Sequence, residues 1–306
     1  MSTVLASAAD ERYGHWLLNM VGSVQARSPR TFDRIVLYDL GLTPLQARLA
    51  RSIRGVEVRT VPPFVPHWRE GRTWKTWIWA HAEADRLVWL DAGLSVLRPL
   101  DELLAQVDER GYFVVSQGHL LSESIPSDYY ERFSLPRELA DRVQVAAGIL
   151  AFRRGSDFDE RVIQPAFEAA SEGFSVGFSA EEVAKLNRGL DRSERPVVRN
   201  CPIFRHEQTL LNICLYRAYA DPVVNDLDRF AGFRSRNDHP EQVIWSHRRR
   251  GDLAYLPRVR YRAMVAPFAL LYGWAYRLHW WRVNHSWLFK PSTYARKAAR
   301  LLRHAS

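Results

Sequence analysis

The feature that most constrains the fold is a short apolar run, Leu87 to Leu90, which stops at the sequence Asp91-Ala-Gly93. Its length and its Val and Trp content predict a buried strand rather than a helix. A second apolar run, Leu94 to Leu97, follows, and Asp101 marks a predicted helix start. Ligands of open α/β sheets bind just outside the carboxyl ends of strands. An acid there, with a glycine that permits close approach, predicts a site for a metal ion or a diphosphate, unless the acid only caps a turn.

Strands and helices alternate through the first part of the chain. We predict strands at Thr3 to Ala9, Arg34 to Asp39 and Val56 to Val61, and helices at Tyr13 to Val24 and Pro44 to Ile53. This alternation predicts a mostly parallel sheet with helices on its faces. The chain contains neither GxGxxG nor GxxxxGK[ST], which argues against dinucleotide oxidoreductases and P-loop enzymes.

Composition narrows the class of protein. A length of 306 residues with 47% hydrophobic content fits one large α/β domain with a tail, or two small domains. Two cysteines, Cys201 and Cys214, are too few for a disulfide framework, so we expect a reducing, cytoplasmic location. No secretory signal is expected, because no basic region precedes an apolar core at the N-terminus. The longest nearly uncharged apolar stretch, Ala263 to Tyr276, is shorter than the roughly twenty residues that span a bilayer.

Positive charge is concentrated in the tail. Residues 248–306 hold thirteen Lys or Arg against one acid, whereas the rest of the chain holds 30 basic and 33 acidic residues. The tail also carries Trp274, Trp280, Trp281 and Trp287, and Tyr294 to Leu302 is predicted to form a basic amphipathic helix. Basic and aromatic residues together favour contact with an anionic membrane surface. The alternatives are a helix packed on the body with a solvated basic face, and nucleic acid, for which no binding motif is present.

Several segments outside the central strand carry candidate site residues. Lys75 is one of only four lysines and follows Trp74, which favours either a phosphate contact or a lysine lying over tryptophans. Gly148, within an apolar stretch, predicts close approach of a ligand or a backbone. Leu120 to Leu139 is predicted to be an irregular, mobile loop over a site. His247 lies in a basic run and is either a solvated histidine or a ligand from the far side of a cleft.

Four segments together resemble the GT-A type of nucleotide-sugar glycosyltransferase, in particular the group around the family-eight galactosyl- and glucosyltransferases. In chain order they are VLASAADERY, RLVWLDAGLSVLRPLDEL, AAGILAFRR and HEQTLLN. The resemblance covers roughly residues 2–250. It implies a GT-A-like α/β domain at 1–250, with a mostly parallel sheet flanked by helices, followed by a basic, aromatic helical appendage at 251–306.

The resemblance also implies roles for individual residues. In such enzymes the first segment holds the base and ribose of the donor, which here implicates Ala6, Ser7, Asp10 and Tyr13. The central segment carries Asp-x-Asp, whose acids bind the ribose and a divalent metal that bridges the diphosphate; here Gly93 replaces the second acid. Mn²⁺ or Mg²⁺ would then be held by Asp91, His247, water and the diphosphate. Otherwise a basic clamp of Lys75 and Arg248 would offset the charge.

HEQTLLN is similar to the family's acid-Gln-x-x-Leu-Asn signature. That likeness implies that Glu207 and Gln208 lie near the reacting carbon, with Glu207 as a base towards the acceptor hydroxyl or as a stabiliser of an oxocarbenium-like state. Without the family, the same acid needs no role beyond suiting the positive end of a helix. Asp91 and Glu207 are thus the predicted catalytic residues. Acceptor contacts are predicted for Gln117, Gly148 and Gln208, and donor contacts also for Lys75, Asp91, Gly93 and Arg248.

The implied activity is that of a hexosyltransferase. A sugar would move from a nucleoside-diphosphate donor to a hydroxyl of a glycan or lipid-linked acceptor, in cell-envelope polysaccharide biosynthesis at the inner face of the plasma membrane. Nucleic acid is not an expected partner. One alternative is a non-catalytic scaffold that binds sugar nucleotide or glycan at the membrane surface, as the missing second acid suggests. Another is an adaptor whose tail binds membrane or nucleic acid.

Overall fold

The computed structural model describes residues 1–177, 201, 203–232, 239–246, 253–262 and 265–284. Six strands form one sheet in the order β3-β2-β1-β4-β7-β6, and β5 pairs with β8 in a second, two-stranded sheet. The strands are β1 (Thr3–Ala9), β2 (Arg34–Asp39), β3 (Val56–Thr60), β4 (Arg86–Leu90), β5 (Leu94–Val96), β6 (Tyr112–Leu120), β7 (Val143–Arg153) and β8 (Ile244–Ser246).

The α-helices lie between these strands in the chain, and the last of them follows β8. They are α1 (Gly14–Arg27), α2 (Pro44–Arg51), α3 (Thr73–His81), α4 (Asp101–Arg110), α5 (Leu121–Ser124), α6 (Ser127–Arg132), α7 (Gln164–Glu172), α8 (Glu207–Ala218), α9 (Leu227–Ala231) and α10 (Ala266–Asn284). Local chemistry fixes several ends. Thr43 and Gln46 form a capping box at the start of α2, where Pro44 takes the first turn, and Gly111 ends α4 with a φ of 85°.

The predicted mostly parallel sheet is confirmed. Strands β1 to β4 run parallel, and only β7 is antiparallel to its neighbours β4 and β6. The chain builds outward from β1 to β3 and then returns to β4 on the other side of β1. The strand order therefore reverses between β1 and β4, which is where open α/β sheets bind ligands.

Burial on both faces of the sheet explains the continuous apolar run of β4. Leu87 and Trp89 lie in one core, and Val88 and Leu90 lie in the core on the opposite face, each at most 1% exposed. Successive strand residues point to opposite faces, so a strand covered on both sides needs apolar residues at every position. Each such side chain contributes about 1.5–3 kcal/mol of burial free energy. The run is thereby fixed in the centre of the sheet, and Asp91 at its end.

Leu120 to Leu139 corrects the sequence prediction of an irregular, mobile loop. The segment contains α5 and α6, and its side chains Tyr129, Phe133 and Leu135 are buried in the main core. The Tyr129 hydroxyl also donates a hydrogen bond to the Phe174 carbonyl oxygen at 3.0 Å. Aromatic and apolar residues among the serines and prolines pack inward, so the segment is part of the core. The predicted helix at Tyr294 to Leu302 lies outside the described residues.

The first part of the predicted appendage packs on the body. Leu253 and Leu256 are buried beside α1, and Gly22 of α1 has no room for a Cβ because the Tyr255 carbonyl oxygen lies against it. Helix α10 follows and stacks the ring of Tyr276 on that of His15, with 3.8 Å between centroids. The division at residue 250 stays a prediction. No helix in the described part of the chain combines the length and apolarity that a membrane span requires.

Candidate functional site

A cavity of about 540 Å³ opens at the carboxyl ends of β1 and β4, a size typical of small-molecule sites. Small residues at the end of β1 and in the middle of β7 leave this space, and charged and aromatic side chains surround it. The lining residues are Ala8, Ala9, Asp10, Tyr13, Trp16, Leu40, Arg69, Arg72, Trp74, Lys75, Asp91, Ala92, Gly93, Leu94, Gln117, Ala146, Gly148, Ile149, Ala231 and Ser246.

Asp91 lies on the turn that follows β4 and faces this cavity. Its backbone N–H donates to the Gly148 carbonyl oxygen at 2.9 Å, which ties the turn to β7. Its Oδ1 atom accepts hydrogen bonds from Trp89 Nε1 at 2.9 Å and forms an ion pair with Lys75 Nζ at 2.7 Å. Its side chain is 39% exposed. One carboxylate oxygen is therefore held by the protein, and Oδ2 remains for a ligand.

Lys75, on α3, is a buried cation between two carboxylates. Its side chain is 2% exposed, and its Nζ atom lies 2.7 Å from Asp91 Oδ1 and 3.2 Å from Glu207 Oε1. It also lies over the rings of Trp79 and Trp89, at 5.6 and 5.2 Å from their centroids. A buried charge is tolerated only when it is paired and hydrogen-bonded, and these partners meet that condition. Lys75 thus packs over tryptophan rings and also lies on the cavity wall.

Glu207 is buried behind the cavity wall rather than exposed to the cavity. It is the first residue of α8 and is 1% exposed, and its Oε2 atom lies 3.5 Å from Arg72 Nη1. The preceding residue, His206, has a left-handed φ of 59°, and its Nδ1 atom lies 3.1 Å from the Ser175 carbonyl oxygen. Glu207 contacts the cavity-lining Lys75 and Arg72 but does not line the cavity itself. As placed, it cannot reach an acceptor hydroxyl bound there.

The charges of this cluster stabilise one another. Burial of the Asp91 carboxyl opposes its ionisation, but Lys75, the Trp89 N–H group and Arg72 outweigh burial and hold the pKa of Asp91 below its usual value. Glu207, followed in effect by Asp91, raises the pKa of Arg72 against the opposing effect of burial. Asp91 and Arg72 are therefore charged at neutral pH.

Sequence reasoning missed Arg69 and Arg72, which both line the cavity. The stretch Phe64 to Thr73 reads as a polar and aromatic loop because no apolar periodicity marks it. The signal that could have found the two arginines is their spacing: Arg69, Arg72 and Lys75 recur every third residue. Strand β8 was also missed, because three residues are too few to show alternation.

The other predicted donor residues divide into two groups. Asp10, Tyr13 and Gly93 line the cavity, and Asp10 Oδ1 accepts from the backbone N–H groups of Arg12 and Tyr13. Ala6 and Ser7 are fully buried within β1 and do not line the cavity; Ala8 and Ala9 do so instead. The end of a strand, rather than its middle, reaches the ligand edge of the sheet.

The predicted acceptor residues are also divided. Gln117 and Gly148 line the cavity. Gln208 is buried in the core, where its Oε1 atom accepts from the Ala147 N–H at 3.4 Å and its Nε2 atom donates to Gln144 Oε1 at 3.3 Å. It supports β7 behind the cavity wall. His247 and Arg248, predicted to contact the diphosphate or a metal, lie outside the described residues, directly after the cavity-lining Ser246.

The described side chains around the cavity do not form a divalent-cation site on their own. Among the described residues, no three His, Cys, Asp or Glu groups converge. Mg²⁺ keeps several waters in its octahedral shell and is usually held by one or two carboxylates together with substrate phosphates. Asp91 offers only Oδ2, because Lys75 and Trp89 engage Oδ1, and Gly93 offers no side-chain donor. Compared with Asp-x-Asp, the described side chains of the cavity thus lack one carboxylate and fit Mn²⁺ or Mg²⁺ less well.

Comparisons with known proteins find structural likeness without sequence likeness. No protein-family model and no curated protein sequence matches the chain. The galactosyltransferase LgtC, in complex with donor and acceptor sugar analogues, is 16% identical with a TM-score of 0.45, over 80% of this chain and 87% of LgtC. An active-site mutant of LgtC is 15% identical with a TM-score of 0.47, over the same shares.

The bifunctional glycosyltransferase WbbM in its apo form gives a TM-score of 0.51 at 13% identity, over 81% of this chain and 46% of WbbM. At this identity the likeness establishes the fold alone. The predicted GT-A-like fold, a mixed α/β architecture with a mostly parallel sheet flanked by helices, is confirmed.

Proposed function

We propose that this chain is a glycosyltransferase that moves a sugar from a nucleoside-diphosphate sugar to an acceptor hydroxyl. The observation that carries the proposal is the cavity at the strand-order switch, where the part-exposed carboxylate of Asp91 stands among Lys75, Arg72 and Arg69. This combination offers a hydrogen-bond acceptor for hydroxyl groups and cationic groups for a diphosphate. The shared fold with glycosyltransferases is consistent with it.

The nucleoside of the donor fits the side of the cavity formed by the end of β1. Ala8 and Ala9 leave room there, and Tyr13 and Trp16 form an aromatic surface with 5.2 Å between ring centroids. A base can stack on such a surface, as aromatic rings and bases do elsewhere. Asp91 Oδ2 accepts a hydrogen bond from a ribose or sugar hydroxyl in this proposal. Ala8 and Ala9, rather than the predicted Ala6 and Ser7, are the residues that contact the donor in this proposal.

The reaction needs charge stabilisation more than it needs a buried base. The bond between the sugar C1 atom and the diphosphate oxygen breaks, and its electron pair stays on the diphosphate. The acceptor oxygen bonds to C1, and its proton passes to an oxygen of the departing diphosphate, which carries the released electron pair. Arg69 and Arg72 are placed to stabilise the departing diphosphate. Because Glu207 does not reach the cavity, we assign it a positioning role: it holds Lys75 and Arg72, and through Lys75 it holds Asp91.

Helix α10 supports a lipid-linked acceptor at an anionic membrane surface. Its large apolar side chains Phe268, Leu270, Leu271, Trp274, Leu278 and Trp281 are each at least 51% exposed. Four of them, at 271, 274, 278 and 281, recur at three- and four-residue spacing and so share one helix face. Residues 266–306 contain seven Lys or Arg and no acid, which complements anionic lipid. We propose that this face binds the inner leaflet of the plasma membrane, where an enzyme of cell-envelope polysaccharide biosynthesis would meet a lipid-linked acceptor.

The activity is tested by incubating the full chain with UDP-, GDP-, ADP- and dTDP-hexoses, with and without glycan and lipid-linked acceptors. The proposal expects one donor to release its nucleoside diphosphate, faster with an acceptor, and expects Asp91→Ala to abolish the release. Donor binding without release from any mixture would instead favour the non-catalytic scaffold. Absence of both binding and release would remove the sugar-nucleotide proposal.

A further inference from the structure

The charges next to the cavity balance without a divalent cation. The Asp-x-Asp pattern places two acids where a dication can bind, but here Gly93 stands in place of the second acid. The two acids of the described cluster, Asp91 and Glu207, are paired with Lys75 and Arg72 at 2.7, 3.2 and 3.5 Å. Two negative and two positive groups leave the cluster neutral before any ligand enters.

The position of Lys75 also opposes a dication. Its ammonium group contacts Asp91 Oδ1, so a metal ion bound to Oδ2 would share one carboxylate with an existing positive charge. Like charges this close repel, and burial of the lysine leaves little water to screen the repulsion. The Lys75 ammonium thus already supplies a positive charge to the Asp91 carboxylate.

Arg72 is held in an unusual backbone conformation that directs it to the cavity. Its φ and ψ are 54° and 30°, a left-handed conformation that non-glycine residues adopt at a cost in stability. The preceding Gly71 also has a positive φ, of 50°, and a Cβ there would collide with the Ser175 carbonyl oxygen. The close approach of the Ser175 backbone thus restricts the conformation of this turn. The Arg72 side chain stays 55% exposed while one nitrogen contacts Glu207, so the rest of the guanidinium group faces the cavity and solvent.

Arg69 supplies a second guanidinium group one turn earlier. Its Nη1 atom donates to the Leu40 carbonyl oxygen at 3.2 Å, at the carboxyl end of β2, and its guanidinium lies 4.5 Å from the ring centroid of Trp68. These contacts orient the side chain but involve no acid. Guanidinium groups bind phosphate oxygens through paired N–H groups, which a diphosphate can accept.

We propose that Arg69 and Arg72 bind the diphosphate of the donor and that Lys75 replaces the metal, so that donor binding requires no divalent cation. This inference rests on the proposed sugar-nucleotide function and names the residues and the charge that serve it. Asp91 then contacts a hydroxyl group rather than a metal ion. Arg69 and Arg72 are specificity-determining residues for a pyrophosphate-containing ligand.

The test measures binding of UDP, GDP, ADP and dTDP, and of inorganic pyrophosphate, to the full chain by calorimetry and thermal stability, in EDTA and in Mn²⁺. A ligand that binds only the folded state raises its stability by mass action. For the diphosphate that binds, the affinity is expected to differ by less than about threefold between EDTA and Mn²⁺. Loss of binding in EDTA with recovery in Mn²⁺ would overturn the proposal.

Variants of Arg69 and Arg72, which together form the proposed diphosphate clamp, separate an effect on binding from an effect on folding. Arg72→Ala is expected to weaken diphosphate and pyrophosphate binding at least about tenfold, and Arg69→Ala by a smaller factor. Arg72→Asn removes the same charge with a residue that tolerates the left-handed conformation, and measuring its melting temperature tests whether the variant is folded. Arg137→Ala is the matched control, because Arg137 lies over Tyr130 away from the cavity. Unchanged binding in both Arg72 variants would refute the assignment.

The outcomes also distinguish this inference from the proposed function. Metal-independent diphosphate binding without sugar transfer would keep the clamp and refute the transferase. Transfer that strictly requires Mn²⁺ would keep the transferase and refute the clamp. If none of the diphosphates or pyrophosphate binds, the clamp is refuted whatever the transfer assay gives.

Discussion

The cavity and helix α10 depart from ordinary protein surfaces in opposite ways. Near the cavity, charged side chains are buried: Lys75 is 2% and Glu207 1% exposed. On α10, large apolar side chains are exposed, with Trp274 at 70% and Leu271 at 68%. Buried charges and contiguous exposed apolar residues are both unusual in folded proteins, and each costs free energy. This difference underlies the two separate proposals, a charged small molecule at the cavity and an anionic membrane surface at α10.

The largest expected effect is on stability, from breaking the buried ion pair. Glu207→Leu leaves the buried ammonium of Lys75 with Asp91 alone, and we expect the free energy of unfolding to fall by about 3–5 kcal/mol. The double variant Lys75→Met with Glu207→Leu is expected to recover much of this loss, because no fully buried charge is left unpaired. Asp91 and Arg72 each lose a partner but are 39% and 55% exposed, so water solvates them. Urea denaturation measures both. A Glu207→Leu loss below about 1 kcal/mol would show that the pair is not an interacting unit.

Helix α10 should show the reverse behaviour. The double variant Trp274→Ser with Leu278→Ser is expected to reduce binding to anionic liposomes by about a hundredfold, since two apolar side chains no longer enter the interface. The free energy of unfolding is expected to change by less than about 0.5 kcal/mol per site, because both side chains are exposed. Val223→Ser, at another exposed apolar residue, is the matched control. Equal liposome binding by wild type and double variant would refute the membrane face.

Two glycines on the cavity wall sharpen the site geometry. A Cβ at Gly148 would lie 3.1 Å from Asp91 Oδ2, whereas a Cβ at Gly93 would meet no atom within 4 Å. We expect Gly148→Ala to weaken nucleoside-diphosphate binding by about tenfold, because it displaces the free carboxylate oxygen, and Gly93→Ala by less than about threefold. Calorimetric titration of both variants checks this. Equal effects would show that the position of Asp91 Oδ2 does not matter for binding.

The smallest expected effect is on the pH dependence of stability. The pKa of Asp91 is lowered in the folded chain, so the folded state binds fewer protons than the unfolded state near the ordinary pKa of about 3.9. The resulting stabilisation is complete above that value and is lost as the pH falls through the lower, folded pKa. Asp91→Asn removes this dependence. Wild type should therefore lose stability relative to Asp91→Asn below about pH 4, as measured by denaturation across pH.

Local patterns gave the central strand and its acid, because burial on both faces demands a continuous apolar run and an abrupt polar stop. The sequence places Asp91 at a strand end and Lys75 on the preceding helix, and both line the cavity. The sequence does not show how deeply each side chain is buried. Glu207 and Gln208 look identical in sequence whether they face a cleft or the core, and only the packing of α8 against β7 decides between them.

The positions of the arginines and the order of the strands also depend on long-range contacts, which the sequence does not show. Arg72 faces the cavity because Gly71 is pressed against Ser175, a contact between residues about a hundred positions apart. The three-residue spacing of the arginines is visible in the sequence, but no local pattern shows the contact that positions them. The antiparallel place of β7 between β4 and β6 likewise follows from the return of the chain across the sheet rather than from the apolar pattern of β7 itself.

The measurement that tests the account most directly is calorimetric titration of the full chain with UDP, GDP, ADP and dTDP, repeated with Asp91→Ala. We predict that one of these diphosphates binds at one site per chain and that Asp91→Ala weakens this binding by about tenfold or more. If none binds, or if the variant binds as tightly as wild type, the cavity at the ends of β1 and β4 is not a sugar-nucleotide site.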